Sequence, residues 1–164
     1  MIEIVRIPAD RKAAFIGKGG RVKARIEKAT QTDIEVSEDV RIMGDDPILF
    51  LKAKDIVIAI GRGFSPKQAE RLLDEDCYLH VISLDGKCPK KRERLLGRVI
   101  GREGRSKETI EEETGASICI RGKTLALIGT PEELEPAEEA IDKLLAGKTH
   151  AYAYQRMFKR KASR

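Results

Sequence analysis

The sequence predicts an α+β protein made of two similar units, each a three-stranded antiparallel sheet with helices on one face. Three observations carry that expectation. First, the chain meets itself at an offset of 84 positions: Gly17 falls on Gly101, Gly20 on Gly104, Lys23 on Lys107, Ile26 and Glu27 on Ile110 and Glu111, Thr30 on Thr114, and Ile34 and Val36 on Ile118 and Ile120, with no gap. Second, each copy runs through strand-like alternation and helix-like spacing in the same order. Third, each copy centres on a glycine-rich turn, FIGKGGRVKARIE at 15–27 and VIGREGRSKETIE at 99–111. A single repeat of that length indicates two related units, whereas a solenoid needs shorter periods and more copies.

In the first copy EIVRI alternates as a strand, and DRKAAFI is a short helical segment leading into the turn. A helix follows from about Gly20 to Ala29, with Val22, Ile26 and Ala29 on one face. TDIEVS and VRIMG read as the second and third strands. Asp46 before Pro47 marks a helix start, and apolar residues at 49, 53, 56, 57 and 60 continue it. The β-branched run at 56–60 leaves a strand possible there. Ser65, Pro66 and Gln68 form a capping box for a linking helix. The second copy repeats the order: CYLHVISL a strand, KKRERLLGRVI a helix, SKETIEEET the helix after the turn, SICI and TLALIG strands. Thr130, Pro131 and Glu133 cap a last amphipathic helix with Leu134, Ala137, Ile141, Leu144 and Leu145 toward the core. Each unit thus reads β-α-α-β-β-α. The expected divisions are 1–75, the first unit with its linking helix; 76–147, the second; and 148–164, a basic, aromatic, helical tail.

Composition narrows the classes. At 164 residues, 41% of them apolar, the chain suits two small domains, and no apolar run reaches membrane-spanning length. The N-terminal stretch lacks the layout of a signal peptide, so a cytoplasmic protein with no membrane association is expected. Cys77, Cys88 and Cys119 are far apart, with no CxxC pair, which fits neither a disulfide framework nor a structural zinc site. Cys77 and His80 sit on an alternating segment and would point to opposite faces. The absence of Asn, with only three Gln, matches thermophile composition.

The net charge of +5 says little, but its distribution says more. Nine basic residues stand between Lys87 and Lys107 against Glu93 and Glu103, while Glu132 to Asp142 holds six acidic residues and no basic one. The first region can meet a polyanion and the second would repel it. The turns point the same way. A helix beginning at a glycine turn aims free N–H groups and a partial positive charge at whatever sits there, and an anion is the natural occupant. Lys18 and Arg21, and Arg102 and Arg105, add charge. Neither turn has the P-loop pattern, and IAIGRGFSP puts Pro66 where a dinucleotide fold needs its third glycine. An extended phosphodiester strand remains.

The I-G-x-x-G turn between two helices, set within β-α-α-β-β-α, resembles the KH domain, which clamps about four nucleotides of single-stranded nucleic acid on its GXXG loop. The resemblance covers roughly residues 2–62 and 77–146. Gly17 lies so near the start that the extra strand and helix must follow the turn, as in type I (eukaryotic-type) KH domains. GRVKARIE and GRSKETIE after the turns, with the basic aromatic tail, are similar to a narrower group: the archaeal relatives of the KH factor that assists small ribosomal subunit assembly and partners the Nob endonuclease. That resemblance implies single-stranded RNA, in particular the 3′ region of small-subunit ribosomal RNA, as ligand, and an endonuclease or a translation initiation factor as protein partner. It implies no cofactor, no metal and no catalytic residue. The RNA-binding residues it marks are Gly17, Lys18, Gly19, Gly20, Arg21 and Lys23 in the first unit, and Arg98, Gly101, Arg102, Glu103, Gly104, Arg105 and Lys107 in the second. It favours the second unit as the main RNA clamp and the first for protein contacts.

Two departures stand out. KH domains usually carry an apolar residue where Lys23 and Lys107 stand, so these lysines would bond a base edge or a phosphate. Glu103 is unfavourable beside a phosphate, and Arg98, Arg102, Arg105 and Lys107 should outweigh it. The tail admits two readings, base stacking by its aromatics or docking through Tyr154, Met157 and Phe158 at helical spacing; the spacing favours docking. A nuclease would need a carboxylate cluster or a histidine pair, and His80 and His150 are isolated. Other KH settings remain as alternatives: an exosome cap, a messenger-RNA adaptor, or a scaffold using the first unit for protein contacts alone.

Overall fold

The computed structural model describes residues 1–163, and the chain divides into two compact units, Met1–Leu79 and the remainder from His80. In the first, β1 (Ile2–Val5) and α1 (Ala9–Ile16) precede the turn, which is a single 3-10 turn over Lys18–Gly20. After it come α2 (Arg21–Thr30), β2 (Asp33–Val36), β3 (Val40–Met43), α3 (Pro47–Gly61) and the short α4 (Pro66–Ala69). β3 lies between β1 and β2, antiparallel to both, with Ile34 opposite Ile42 and Val5 opposite Val40. That register puts Ile34, Val40 and Ile42 on the helix side, where they are fully or almost fully buried with Phe15, Ile26 and Phe50. Burying each such side chain contributes about 1.5–3 kcal/mol.

The 56–60 run is helical. The Asp46 carboxylate accepts the amides of Ile48 and Leu49 at 2.9 and 3.0 Å, so the helix starts there. Ala53, Ile56, Val57, Ala59 and Ile60 are all fully buried, and burial on several sides outweighs the small helix penalty of the branched residues. On α2 the buried positions are Ile26 and Thr30 rather than Ala29; Thr30 can be buried because its hydroxyl is hydrogen-bonded to Ile26 O and Thr32 Oγ1. The Ser65–Gln68 capping box is formed.

The second unit repeats the layout. β4 (Tyr78–Ser83) lies beside β6 (Thr124–Gly129), which pairs antiparallel with β5 (Ser117–Arg121). α5 (Pro89–Ile100) and α6 (Arg105–Thr114) flank the turn, and α7 (Pro131–Leu145) closes the core. The core is built from Leu96, Val99, Ile110, Ile118, Leu125, Leu127 and Ile141. The tail forms α8 (His150–Ala162), which docks on α6 and α7 through buried Ala153 and Met157; Tyr154 packs against that core, while Phe158 stays 48% exposed. On its outer side Arg156 donates to Glu135 and Glu139, and Lys143 donates to Glu139 at 2.8 Å. These hydrogen bonds, Lys143 first and then Arg156, hold the Glu139 carboxyl below its ordinary range. Among the described residues no helix is long and apolar enough to cross a membrane, and no cluster of three potential metal ligands forms.

Candidate nucleic-acid interface

Each turn is built the same way. Gly17 (φ 74°, ψ 176°) and Gly101 (75°, 177°) end α1 and α5 in a conformation that residues with a side chain rarely adopt. A Cβ on Gly17 would lie 2.4 Å from Val22 Cγ2, and one on Gly101 2.5 Å from Ser106 Cβ, so the chain can fold back only at glycine. At Gly20 and Gly104 a Cβ would meet nothing within 4 Å among the described residues, so that side of each turn is open. These two residues are the N-caps of α2 and α6, and no side chain caps either helix. The turn's own carbonyls take the amides of Gly20 and Arg21, and of Gly104 and Arg105, so what each open side offers a ligand is the positive pole of the helix behind it. Lys18, Gly19 and Arg21 are exposed around the first turn, as are Arg102, Glu103 and Arg105 around the second. Glu103 lies 3.6 Å from Arg105, both side chains being about three-quarters exposed. That pair is weak in water and leaves Arg105 available.

Lys23 and Lys107 are half-buried one turn into α2 and α6. Lys23 Nζ donates to Glu27 Oε1 at 2.8 Å, and the same oxygen accepts the Ile34 amide at 2.7 Å. Lys107 Nζ donates to Glu111 Oε2 at 3.3 Å, while Glu111 Oε1 accepts the Ile118 amide at 2.8 Å. In both units the glutamate ties the helix after the turn to the first amides of the next strand, and the lysine balances the carboxylate's charge. This partnership accounts for a lysine at a position usually apolar. Its signal, a Lys and a Glu at i and i+4, was present in the sequence.

Arg98 sits differently from the other predicted residues. Its guanidinium donates to the carbonyl oxygens of Leu144 (2.9 Å) and Lys148, bracing α5 against the end of α7. In the first unit Arg11 donates to Ile60 O at 2.8 Å and Phe64 O at 2.7 Å. These acceptors are equivalent across the repeat, but the arginine has moved by about one helical turn. A sequence comparison at fixed offset cannot align the two donors. The second unit has a further brace: Tyr154 on α8 donates its hydroxyl to Ser106 Oγ at 2.7 Å, directly beneath Gly101. His150 Nε2 lies 3.1 Å from the Arg98 carbonyl oxygen.

An open turn, an uncapped helix and flanking cations, set in a β-α-α-β-β-α unit with the sheet order β1-β3-β2, define a type I KH domain, present twice. Comparison with known proteins agrees. Residues 78–162 match the eukaryotic-type KH domain (KH domain type I) in its PNO1 second-domain form, and residues 2–71 match the KH domain. The chain belongs to the PNO1-type family of tandem KH proteins. It is 43% identical over 162 residues to a KH domain-containing protein, MJ0443, of Methanocaldococcus jannaschii, covering 94% of this chain and 71% of that one. It is 29% identical over 110 residues to the RNA-binding protein pno1 of Dictyostelium discoideum, covering 65% of this chain; the chain spans about half the length of the pno1 relatives it matches. Among solved structures it is similar to Dim2p of Pyrococcus horikoshii, with 44% identity and a TM-score of 0.88 over 97% of this chain and 99% of that one. It is likewise similar to a chain of the a/eIF2alpha–aDim2p–rRNA complex from the same organism, with 44% identity and a TM-score of 0.90 over 100% of this chain and 96% of that one. Neither matching family describes a catalyst.

Proposed function

We propose that this protein binds single-stranded RNA at its two GxxG turns, as a non-catalytic factor in ribosome biogenesis. The observation that carries this is the pair of uncapped helix N-termini behind matching turns, each flanked by exposed cations. The names of its relatives support RNA binding, and the rRNA complex of its structural neighbour supports ribosomal RNA as the ligand. The finer reading is action at the 3′ end of small-subunit rRNA, with the second turn as principal clamp. The binding residues are Gly17 to Arg21 with Lys23, and Gly101 to Arg105 with Lys107. Arg98 contributes charge from its fixed position.

With about four phosphates held per unit, the slope of log affinity against log salt is about −3 for each turn engaged. Arg102→Asp with Glu103→Asp keeps a residue that tolerates the left-handed conformation at 103 and places a negative charge where phosphate sits. It should weaken binding by about 100-fold with the unfolding midpoint little changed. A folded variant that bound RNA as before would sink the role of the second turn.

A second reading gives the first unit a protein partner. Its edge strand exposes Ile2 and Ile4, at 70% and 56%, apolar surface that a protein contact would cover. The neighbour's complex with a/eIF2alpha supports a translation initiation factor in that place. Ile2→Glu with Ile4→Glu should then abolish capture of such a factor while leaving RNA affinity unchanged.

A further inference from the structure

α5 carries a second positive track that leads away from the turn. Lys91, Arg94 and Arg98 recur at three- and four-residue spacing on one side of the helix. They line a groove of about 520 Å³ whose other wall is the end of α7, Leu145 to Gly147. Among the described residues no carboxylate lines it. Arg98 occupies carbonyl oxygens at the end of α7, which offsets the negative pole the helix would otherwise present there. Lys91 and Arg94 are exposed, and among the described residues neither has an ion pair or a side-chain hydrogen bond. Cations on the neighbouring helices differ: Lys107, Lys143, Arg156 and Lys161 are all paired with glutamates. On the counterpart helix α1 the basic residues are Arg11 and Lys12, and both donate to carbonyl oxygens, so among the described residues the first unit has no such exposed, unpaired track. Unpaired like charges along one helix repel one another, and a polyanion relieves that repulsion.

We propose that this groove receives the phosphates of the RNA strand beyond the nucleotides held at Gly101–Gly104. The second unit then grips a longer segment than its turn alone can. The inference rests on RNA binding at that turn. Charge complementarity, with basic residues recurring from Lys91 through Arg94 and Arg98 toward the turn where Arg102 is exposed, selects RNA as the occupant.

The test compares an RNA of about four nucleotides with the same RNA extended at its 5′ or its 3′ end, bound to the full chain over a range of salt. The wild type should gain about tenfold in affinity on extension at one end only, with a salt slope steeper by about 1.4 for two added contacts. Lys91→Gln with Arg94→Gln should bind the short RNA as the wild type does and lose that gain. A double variant that keeps the full gain overturns the proposal. Equal loss on short and extended RNA overturns it too, because the stripe would then belong to the turn's own site. The Arg102→Asp, Glu103→Asp variant reports on the turn separately: if it leaves the short RNA bound, the turn reading fails, while the gain on extension still reports on α5.

Discussion

At the third position of the two glycine turns the backbone is left-handed in both, with φ 62° and ψ 25° at Gly19 and φ 56° and ψ 28° at Glu103. The first unit has glycine there and the second does not. At the end of the following helix the asymmetry reverses: Gln31 (φ 52°) is left-handed in the first unit, and Gly115 (φ 84°) in the second. Each unit therefore carries one strained residue where its counterpart has a relaxed glycine. The supports also differ. Beneath Gly17 lies Val22, an apolar contact; beneath Gly101 lies Ser106, hydrogen-bonded to α8. The repeat keeps the backbone path and the open side of the turn and lets the means of holding them vary. The residue beneath the second turn is hydrogen-bonded to α8, a helix outside the β-α-α-β-β-α unit, whereas the one beneath the first is an apolar side chain.

The largest test of the shared geometry is Gly17→Ala and Gly101→Ala. Each adds a Cβ at about van der Waals overlap in a left-handed conformation and should cost about 3 kcal/mol in denaturant unfolding. A loss below about 1 kcal/mol at either site would mean that turn opens freely, and the two would not be equivalent. Tyr154→Phe sharpens the difference in support. It removes the hydroxyl bond to Ser106, should cost about 1 kcal/mol, and should weaken RNA at the second turn only; an equal effect at the first would contradict the coupling.

Glu103→Gly and Gln31→Gly exchange the strained residues for their counterparts. Relief of left-handed strain, less the entropy of the added glycine, leaves a gain of about 0.5–1 kcal/mol each, read as a raised unfolding midpoint. The smallest effect is acid sensitivity of α8. Because Lys143 and Arg156 lower the Glu139 pKa in the folded protein, the stability it adds is present above the ordinary carboxylate pKa and is lost as pH falls through the lowered value. The protection of the α8 amides, taken relative to the intrinsic exchange rate at each pH, should therefore fall in acid, modestly because the network is exposed, and Arg156→Gln, which cuts the link from Glu139 to α8, should flatten that fall. Unchanged protection across that range would show that apolar docking alone holds α8.

The fold and both turns were legible because they are local. Glycine spacing, strand alternation, the caps at Asp46 and Ser65, and the 84-residue echo are all properties of contiguous chain, and periodicity reports which face is buried. The helical state of 56–60 was not decided by pattern, since branched apolar runs suit either element; burial on several sides decided it. The sequence reads Arg98 as one more cation beside the turn; that its guanidinium also holds carbonyl oxygens of residues 46 and 50 positions away is not legible there, because every residue carries such an oxygen. The same holds for Arg11, whose acceptors lie 49 and 53 positions away. Tyr154 was expected to dock, yet its bond to Ser106 spans 48 residues and exists only once α8 lies on α6. Local sequence therefore carried the shape of each turn and the charge around it. Which cations stay free for a ligand, and which are spent holding the helices behind the turn, depended on contacts that form only when distant segments pack.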